Sequence, residues 1–225
     1  MKISVVFPAL NEEEGIGRAL DEVPVKELAK KGYEVELVVV DGGSVDNTVK
    51  IATDHGAKVI HSETGYGRQY KRAFSMIDGD IIITGDSDGS YPLEYSASLV
   101  EELLNKNLDF LSTNRFANLE EGSMSVMHKF GNNMLTLLAR ILFGVSFKDS
   151  QSGMWVFKRK ILEKMNLISN GMPFSEELKI EAFRKFKSAE TPITYRKRIG
   201  KVKLNTIKDG AENILFLLYK RLVIR

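Results

Sequence analysis

Asp80-Ile81-Ile82-Ile83-Thr84-Gly85-Asp86-Ser87-Asp88-Gly89 decides the fold. Its first half is an unbroken β-branched run, the pattern of a strand buried on both faces, and it leads directly into two carboxylates set between glycines. The same pattern recurs upstream. Ile3 to Phe7 and Val35 to Val40 read as continuous apolar strands, and Lys58 to Ile60 as a shorter one. Helical spacing fills Glu13 to Lys30, Asp46 to His55 and Arg68 to Met76. Strands alternating with helices predict an α/β fold, a Rossmann-like, mostly parallel sheet flanked by helices and joined by right-handed crossovers.

Ligands in such sheets sit beyond the carboxyl ends of the strands, so the residues after each strand carry the functional reading. These are Pro8-Ala9-Leu10-Asn11-Glu12-Glu13, Asp41-Gly42-Gly43-Ser44-Val45-Asp46, Gly65-Tyr66-Gly67-Arg68 and Gly85-Asp86-Ser87-Asp88-Gly89. The fold places all four loops on one sheet edge. Downstream, helices are expected over Leu93 to Leu104, Met127 to Leu142, Ser175 to Phe186 and Asn205 to Leu222. Strands are expected over Phe110 to Thr113, Met154 to Phe157 and Thr191 to Tyr195. Residues 1–204 read as one domain, and 205–225 as a C-terminal amphipathic helix.

With 43% hydrophobic and 28% charged residues, the 225-residue chain falls outside the disordered and collagen-like classes. Cysteine is absent, which removes disulfides and thiolate metal sites and is compatible with a reducing compartment. Met1 to Phe7 reads as a strand rather than a leader, and no apolar run approaches the length of a membrane span. Charge is unevenly spread. Lys179 to Arg225 holds 13 Lys/Arg against 4 Asp/Glu, leaving the preceding residues net negative. That end is suited either to an anionic partner or to a solvated charged face.

Carboxylates at i and i+2 on a strand end, Asp86 and Asp88, suit a hard cation such as Mg²⁺ or Mn²⁺ bridging a diphosphate. An ordinary acidic turn is the alternative. Asn11 either caps the following helix or belongs to a binding loop with Glu12, which could accept from ribose hydroxyls. Asp41 precedes the next helix by too many residues to cap it, which favours a contact to a base N–H. Asp149 is either a turn residue beside Ser150 or a general base for a hydroxyl acceptor.

Together these loops resemble those of a family 2 glycosyltransferase of the GT-A fold. Asp149-Ser150-Gln151-Ser152-Gly153-Met154 is similar to the D-x-x-S-G element of polyprenyl-phosphate glycosyltransferases. Pro192-Ile193-Thr194-Tyr195-Arg196-Lys197-Arg198-Ile199-Gly200-Lys201-Val202-Lys203-Leu204 is similar to their P-I-x-Y-x-x-R-x-G-x-S-K-L element. The likeness runs to about Gly210 and is nearest to dolichyl-phosphate mannose synthases and archaeal enzymes that load glucose or N-acetylglucosamine onto dolichyl phosphate.

The resemblance implies that Pro8, Leu10, Glu12 and Asp41 hold the nucleoside, and that Asp86 and Asp88, with Ser87 beside them, meet the metal and diphosphate. Arg115 and Arg198 would face the donor and acceptor phosphates, and Lys129 and Asn133 the lipid phosphate. Three positions depart from the pattern. Gly42 stands where an Asp is common, Ser90 where the mannose synthases carry a metal-assisting Gln, and Val202 where Ser precedes Lys203. The first two shift the expected donor from GDP-mannose toward a UDP-sugar.

The expected activity is therefore inverting hexose transfer from a nucleotide sugar to a polyprenyl phosphate. A soluble phosphorylated acceptor is the rival, and a non-catalytic nucleotide-binding protein a further one. No nucleic-acid partner is expected, since aromatic residues are sparse among the C-terminal cations. Ile207, Ala211, Ile214, Leu215, Leu218 and Leu222 form a helical stripe. It packs either on the domain or on a membrane surface, with Lys220, Arg221 and Arg225 toward anionic headgroups. The expected location is cytoplasmic and peripheral, at the cytoplasmic face of the membrane.

Overall fold

The structure, a computed structural model, describes residues 1–201 and 206–223. Seven strands form one sheet in the order β3-β2-β1-β4-β6-β5-β7. They are β1 (Lys2–Ala9), β2 (Glu34–Asp41), β3 (Lys58–His61), β4 (Ile81–Thr84), β5 (Phe110–Leu119), β6 (Trp155–Lys158) and β7 (Ser188–Tyr195). The helices are α1 (Ile16–Asp21), α2 (Val25–Lys30), α3 (Thr48–Asp54), α4 (Tyr66–Phe74), α5 (Ser96–Asn105), α6 (Val126–Phe143), α7 (Phe174–Lys185) and α8 (Thr206–Val223).

Parallel pairing aligns the strand ends. Ala9 lies beside Asp41, Asp41 beside His61, and Val6 beside Thr84. The loops after β1, β2, β3 and β4 therefore share one edge, as the alternating pattern predicts.

β6 runs antiparallel to both β4 and β5, whereas β5 and β7 run parallel to each other. A four-residue apolar run reads the same in either direction, so the sequence does not record this reversal. Its consequence is functional. The segment before β6, Asp149 to Gly153, enters at the same edge that the other strands leave. Thr84 Oγ1 pins it there, donating to Gly153 O at 2.8 Å and accepting from Trp155 N at 2.9 Å.

The helix expected over Glu13 to Lys30 is two helices. Pro24 separates them, because it lacks an N–H and clashes with the preceding turn. A 3₁₀ segment, Arg159–Lys164, follows β6 without any expectation from sequence. β5 continues to Leu119 past a register irregularity between Asn114 and Asn118.

Alternation along the strands splits the core in two. Val5, Phe7, Ile81 and Ile83 pack with Ile16 and Leu20 of α1 and Leu99 and Leu103 of α5. Val6, Val40 and Ile82 face the other way, against Tyr70 of α4 and Phe174 and Leu178 of α7. Each such side chain, fully buried, contributes about 1.5–3 kcal/mol. A third cluster joins α6 (Leu135, Ala139), α7 (Ile180) and α8 (Leu217).

α8 therefore packs on the domain through Asn213, Leu217 and Lys220, while Ile214, Leu215, Leu218 and Leu222 of its predicted stripe face outward. Lys220 does not reach toward headgroups. It is buried between Glu177 Oε1 at 2.7 Å and Glu181 Oε1 at 3.2 Å, and also donates to Asn166 O. Removing its charge would leave the buried Glu177 carboxylate without its counter-ion, while Glu181 would keep Lys185 at 2.6 Å. Arg221 stays exposed, whereas Val202, Lys203, Leu204 and Arg225 lie outside the described residues.

Candidate active site

Asp86 and Asp88 follow β4 at the centre of the aligned edge. Burial pushes Asp86 up to about 7, with the Asp88 charge adding to the rise and Arg115 and Arg198 pulling against it. Asp88 is 7% exposed, and its Oδ1 accepts from Ser90 N at 3.0 Å. Ser87 points elsewhere. Its hydroxyl donates to Pro8 O at 2.8 Å and ties the ends of β4 and β1 together.

The C-terminal basic element lies directly across this turn. Arg196 N donates to Ser90 O at 3.0 Å and Ile199 N to Asp88 O at 2.8 Å. Gly89 permits the crossing: its φ is +72°, and a Cβ would lie 3.1 Å from Ile199 Cδ1. Arg198 is thereby held with Nη2 3.0 Å from Glu12 Oε1 and Nη1 3.6 Å from Asp88 Oδ2, while its buried Nε has no hydrogen-bond partner. Arg196 is occupied outside the site by Glu22 at 2.9 Å and by Glu94.

The loops after β1 and β2 interlock. Asn11 adopts φ +53°, takes Ser44 Oγ on its N–H at 2.8 Å, and accepts from Val45 N at 2.8 Å through Oδ1. It is a loop clasp, not the cap of α1. Glu12 N donates to Thr48 Oγ1 at 2.7 Å, which leaves the Glu12 carboxylate toward Arg198. Asp41 is buried and accepts from Gly43 N at 3.1 Å and Ser44 N at 3.0 Å, with His61 Nδ1 3.5 Å away. Its carboxylate thus shapes its own turn. Pro8 is buried and Leu10 half-buried at the same edge.

Arg115 and Asp149 form a buried pair. Arg115 donates from Nε to Oδ2 at 2.8 Å and from Nη2 to Oδ1 at 2.9 Å, and its backbone N–H adds a third contact at 3.1 Å. Burial alone would raise Asp149, but the Arg115 charge and hydrogen bonds hold it below the usual carboxylate range. Asp149 is therefore committed to Arg115. The guanidinium also lies 5.2 Å from the Tyr195 ring centroid. Behind the pair, buried Lys179 donates to Asp149 O and approaches Glu190 Oε1 at 3.3 Å, and Glu190 accepts from Asp149 N at 3.1 Å.

Lys129 and Asn133 sit one turn apart on the exposed side of α6, at the border of an outward apolar strip and not in the carboxylate cluster. Sequence reasoning missed Gln69, whose Nε2 bridges Ala9 O at 2.8 Å and Val40 O at 2.7 Å. A Cβ on Gly42 would lie 3.1 Å from that Nε2, which accounts physically for a glycine there. The only signal in the sequence was a glutamine two residues beyond a Gly-x-Gly.

Among the described residues no group of three or more His, Cys, Asp or Glu is arranged as a metal site. Two crowded carboxylates still fit a hard divalent cation, one that takes its remaining oxygens from a diphosphate and water. Burial first, and the Asp88 charge second, raise Asp86, and a bound cation would relieve both.

A family profile described as glycosyl transferase family 2 matches residues 4–165. This chain is a member of glycosyl transferase family 2. It is 36% identical over 220 residues to the low-salt glycan biosynthesis hexosyltransferase Agl6 of Haloferax volcanii, covering 96% of this chain but 53% of that protein. It thus spans about half the length of that family member. It is 34% identical over 210 residues to the dolichyl-phosphate hexose transferase of the same organism, covering 93% of this chain and 89% of the relative. The GT-A architecture matches glucosyl-3-phosphoglycerate synthase from Mycobacterium tuberculosis, crystallised with Mn²⁺, UDP-glucose and phosphoglyceric acid. The TM-score is 0.79 at 24% identity over 100% of this chain and 80% of that one.

Proposed function

We propose that this family 2 enzyme transfers a hexose from a nucleotide sugar to dolichyl or another polyprenyl phosphate, inverting the anomeric carbon and feeding protein N-glycosylation or cell-surface glycan synthesis. UDP-glucose or UDP-N-acetylglucosamine is favoured as donor over GDP-mannose. One observation carries the reading: Asp86, Asp88 and Arg198 meet at the end of β4, while the neighbouring Asp149 is committed to Arg115. A hydroxyl acceptor needs a base to take its proton. A phosphate monoester, with a second pKa of about 6, is already largely ionised at neutral pH. The relative named dolichyl-phosphate hexose transferase supports the same acceptor class.

Asp86 and Asp88 would hold Mn²⁺ or Mg²⁺, which when bound neutralises charge on the departing diphosphate. The Mn²⁺ and UDP-glucose of the mycobacterial neighbour support this assignment. Arg198 would leave Glu12 for the diphosphate, and Glu12 would turn to the ribose. Asp41, Pro8 and Leu10 would border the base, with Ser87 holding the Pro8 turn in place. Arg115, oriented by Asp149, would meet the acceptor phosphate. Lys129 and Asn133 would serve its lipid end. For the donor, Ser90 is fully buried and Gly42 is backed by Gln69, so neither supplies the contact expected of the mannose-synthase Gln or of the Asp common in the family.

Among the described residues no helix is long and apolar enough to cross a membrane. α6 and α8 nevertheless expose Val126, Phe130, Met134, Leu137, Leu215 and Leu222. Exposed Lys129, Arg140 and Arg221 lie on the same two helices. This supports a peripheral site at the cytoplasmic face of the membrane.

The test supplies radiolabelled UDP-glucose, UDP-N-acetylglucosamine and GDP-mannose with dolichyl phosphate or 3-phosphoglycerate. Label entering the organic phase from a UDP-sugar is the expected result. Label transferred only to the water-soluble acceptor overturns the lipid-phosphate assignment.

A further inference from the structure

Tyr66, the first residue of α4, approaches Asp86, and the room it occupies comes from a glycine 87 residues away. The flanking Gly-x-Gly seats it. A Cβ on Gly65 would lie 2.7 Å from Asn170 O, and one on Gly67 2.5 Å from Ser169 O, so only glycines let this turn descend onto the 169–170 backbone. Arg68 N donates to Asn170 O at 3.2 Å and closes the contact. The Tyr66 ring packs edge-on against Tyr70 at 5.0 Å. Its hydroxyl then points at Asp86 Oδ1, 3.4 Å away.

Gly153 stands on the other side of that hydroxyl. A Cβ there would lie 2.6 Å from the Tyr66 hydroxyl oxygen and 3.3 Å from Asp86 Oδ1. The residue is fixed at both ends: its N–H donates to the Tyr91 hydroxyl at 2.7 Å, and its carbonyl accepts from Thr84 Oγ1 at 2.8 Å. Its φ is not positive, so backbone conformation does not demand a glycine. Space does.

We infer that Tyr66 is a positioning residue for Asp86 and that Gly153 exists to admit its phenol. Donation to Oδ1 fixes the carboxylate's rotation and leaves Oδ2 for a divalent cation bound with a nucleoside diphosphate. At 3.4 Å the contact lies at the long end of the hydrogen-bond range. This inference rests on the assignment of Asp86 to the metal and diphosphate.

The experiment measures Mn²⁺ binding in the presence of UDP by calorimetry. It uses the full chain as parent, Tyr66→Phe, Gly153→Ala and the double variant, with thermal melts in the absence of metal. Tyr66→Phe is expected to weaken Mn²⁺ binding about five-fold, the effect of one lost hydrogen bond, at an unchanged melting temperature. Gly153→Ala is expected to weaken it more. Adding Tyr66→Phe to that variant should recover part of the loss, because it removes the atom 2.6 Å from the new methyl. Parent-like Mn²⁺ binding by Tyr66→Phe overturns the inference, and that variant decides alone if Gly153→Ala does not fold. Absence of Mn²⁺ binding by the parent instead removes the donor-site assignment and this inference with it.

Discussion

Asp149 grips Arg115 with both carboxylate oxygens, Nε to Oδ2 at 2.8 Å and Nη2 to Oδ1 at 2.9 Å, at a point where neither side chain is open to water. The pair fixes a positive charge beside the Asp86 and Asp88 turn. It also engages both oxygens of the residue that the sequence offers as a general base.

Replacing Asp149 by Asn breaks a buried pair on one side only, and an unfolding cost of about 3–5 kcal/mol is expected. Turnover should fall roughly 10- to 100-fold, the range for groups that orient others. Because Asp149 is held below its unfolded value of about 3.9, its contribution is complete above that pH and is lost as pH falls through the folded value. Urea melts of parent and variant should therefore differ by a constant amount from neutrality down to about pH 4. The gap should narrow only below that.

Metal removal gives a second expectation. Chelation with EDTA should stop sugar transfer, and Mn²⁺ or Mg²⁺ should restore it. Asp88→Asn should lower kcat by at least roughly 10²-fold and leave a residual rate indifferent to added metal. Steady-state rates across a metal titration, with circular dichroism to check folding, decide the point. Full turnover in the variant would remove the metal role.

Glu176 supplies an expectation of opposite sign to that of Asp149. It is fully buried and accepts from Gln151 Nε2 at 2.8 Å through Oε2, while Oε1 has no hydrogen-bond partner. Burial, reinforced by the Glu177 charge, holds it well above the usual range. Stability is then highest below the unfolded value of about 4.3 and declines as pH rises toward the folded value. Glu176→Gln keeps an acceptor for Gln151 and removes the charge. Its melting temperature should exceed the parent's at pH 8, and the gain should vanish near pH 4.

The outward strips of α6 and α8 yield a fourth expectation. Phe130→Asp and Leu215→Asp alter exposed residues, 63% and 68% open, so melting temperatures should hold. Co-sedimentation with vesicles containing anionic lipid should drop at least several-fold, because each change places a charge in the acyl boundary. Unchanged sedimentation would detach these helices from any membrane role.

Local pattern carried much of the site. An apolar strand ending in two carboxylates is a statement about adjacent residues, and Asp86 and Asp88 were legible for that reason. Pro24 is as local a signal, yet the expected helix over Glu13 to Lys30 ran across it. Arg198 was placed by its motif, yet only the structure adds its bond to Glu12, 186 residues earlier. Gln69, Tyr66 and Lys220 work through partners remote in sequence, and for the first two the adjacent Gly65-x-Gly67 marks the loop but not the task. For Lys220 the amphipathic stripe misled, because a lysine beside apolar positions reads as solvent-facing until two glutamates from α7 close over it.

The Arg198–Glu12 contact has a further consequence. The two side chains partly offset each other's charge, so a visitor that draws away only one removes that share of the balance. A free nucleoside offers hydroxyls to Glu12 but nothing to Arg198, and inorganic pyrophosphate offers the reverse. On the proposed donor site, a molecule bearing both sugar hydroxyls and phosphates would meet both residues at once. The contact between the first and last quarters of the chain would then favour whole nucleotides over their fragments.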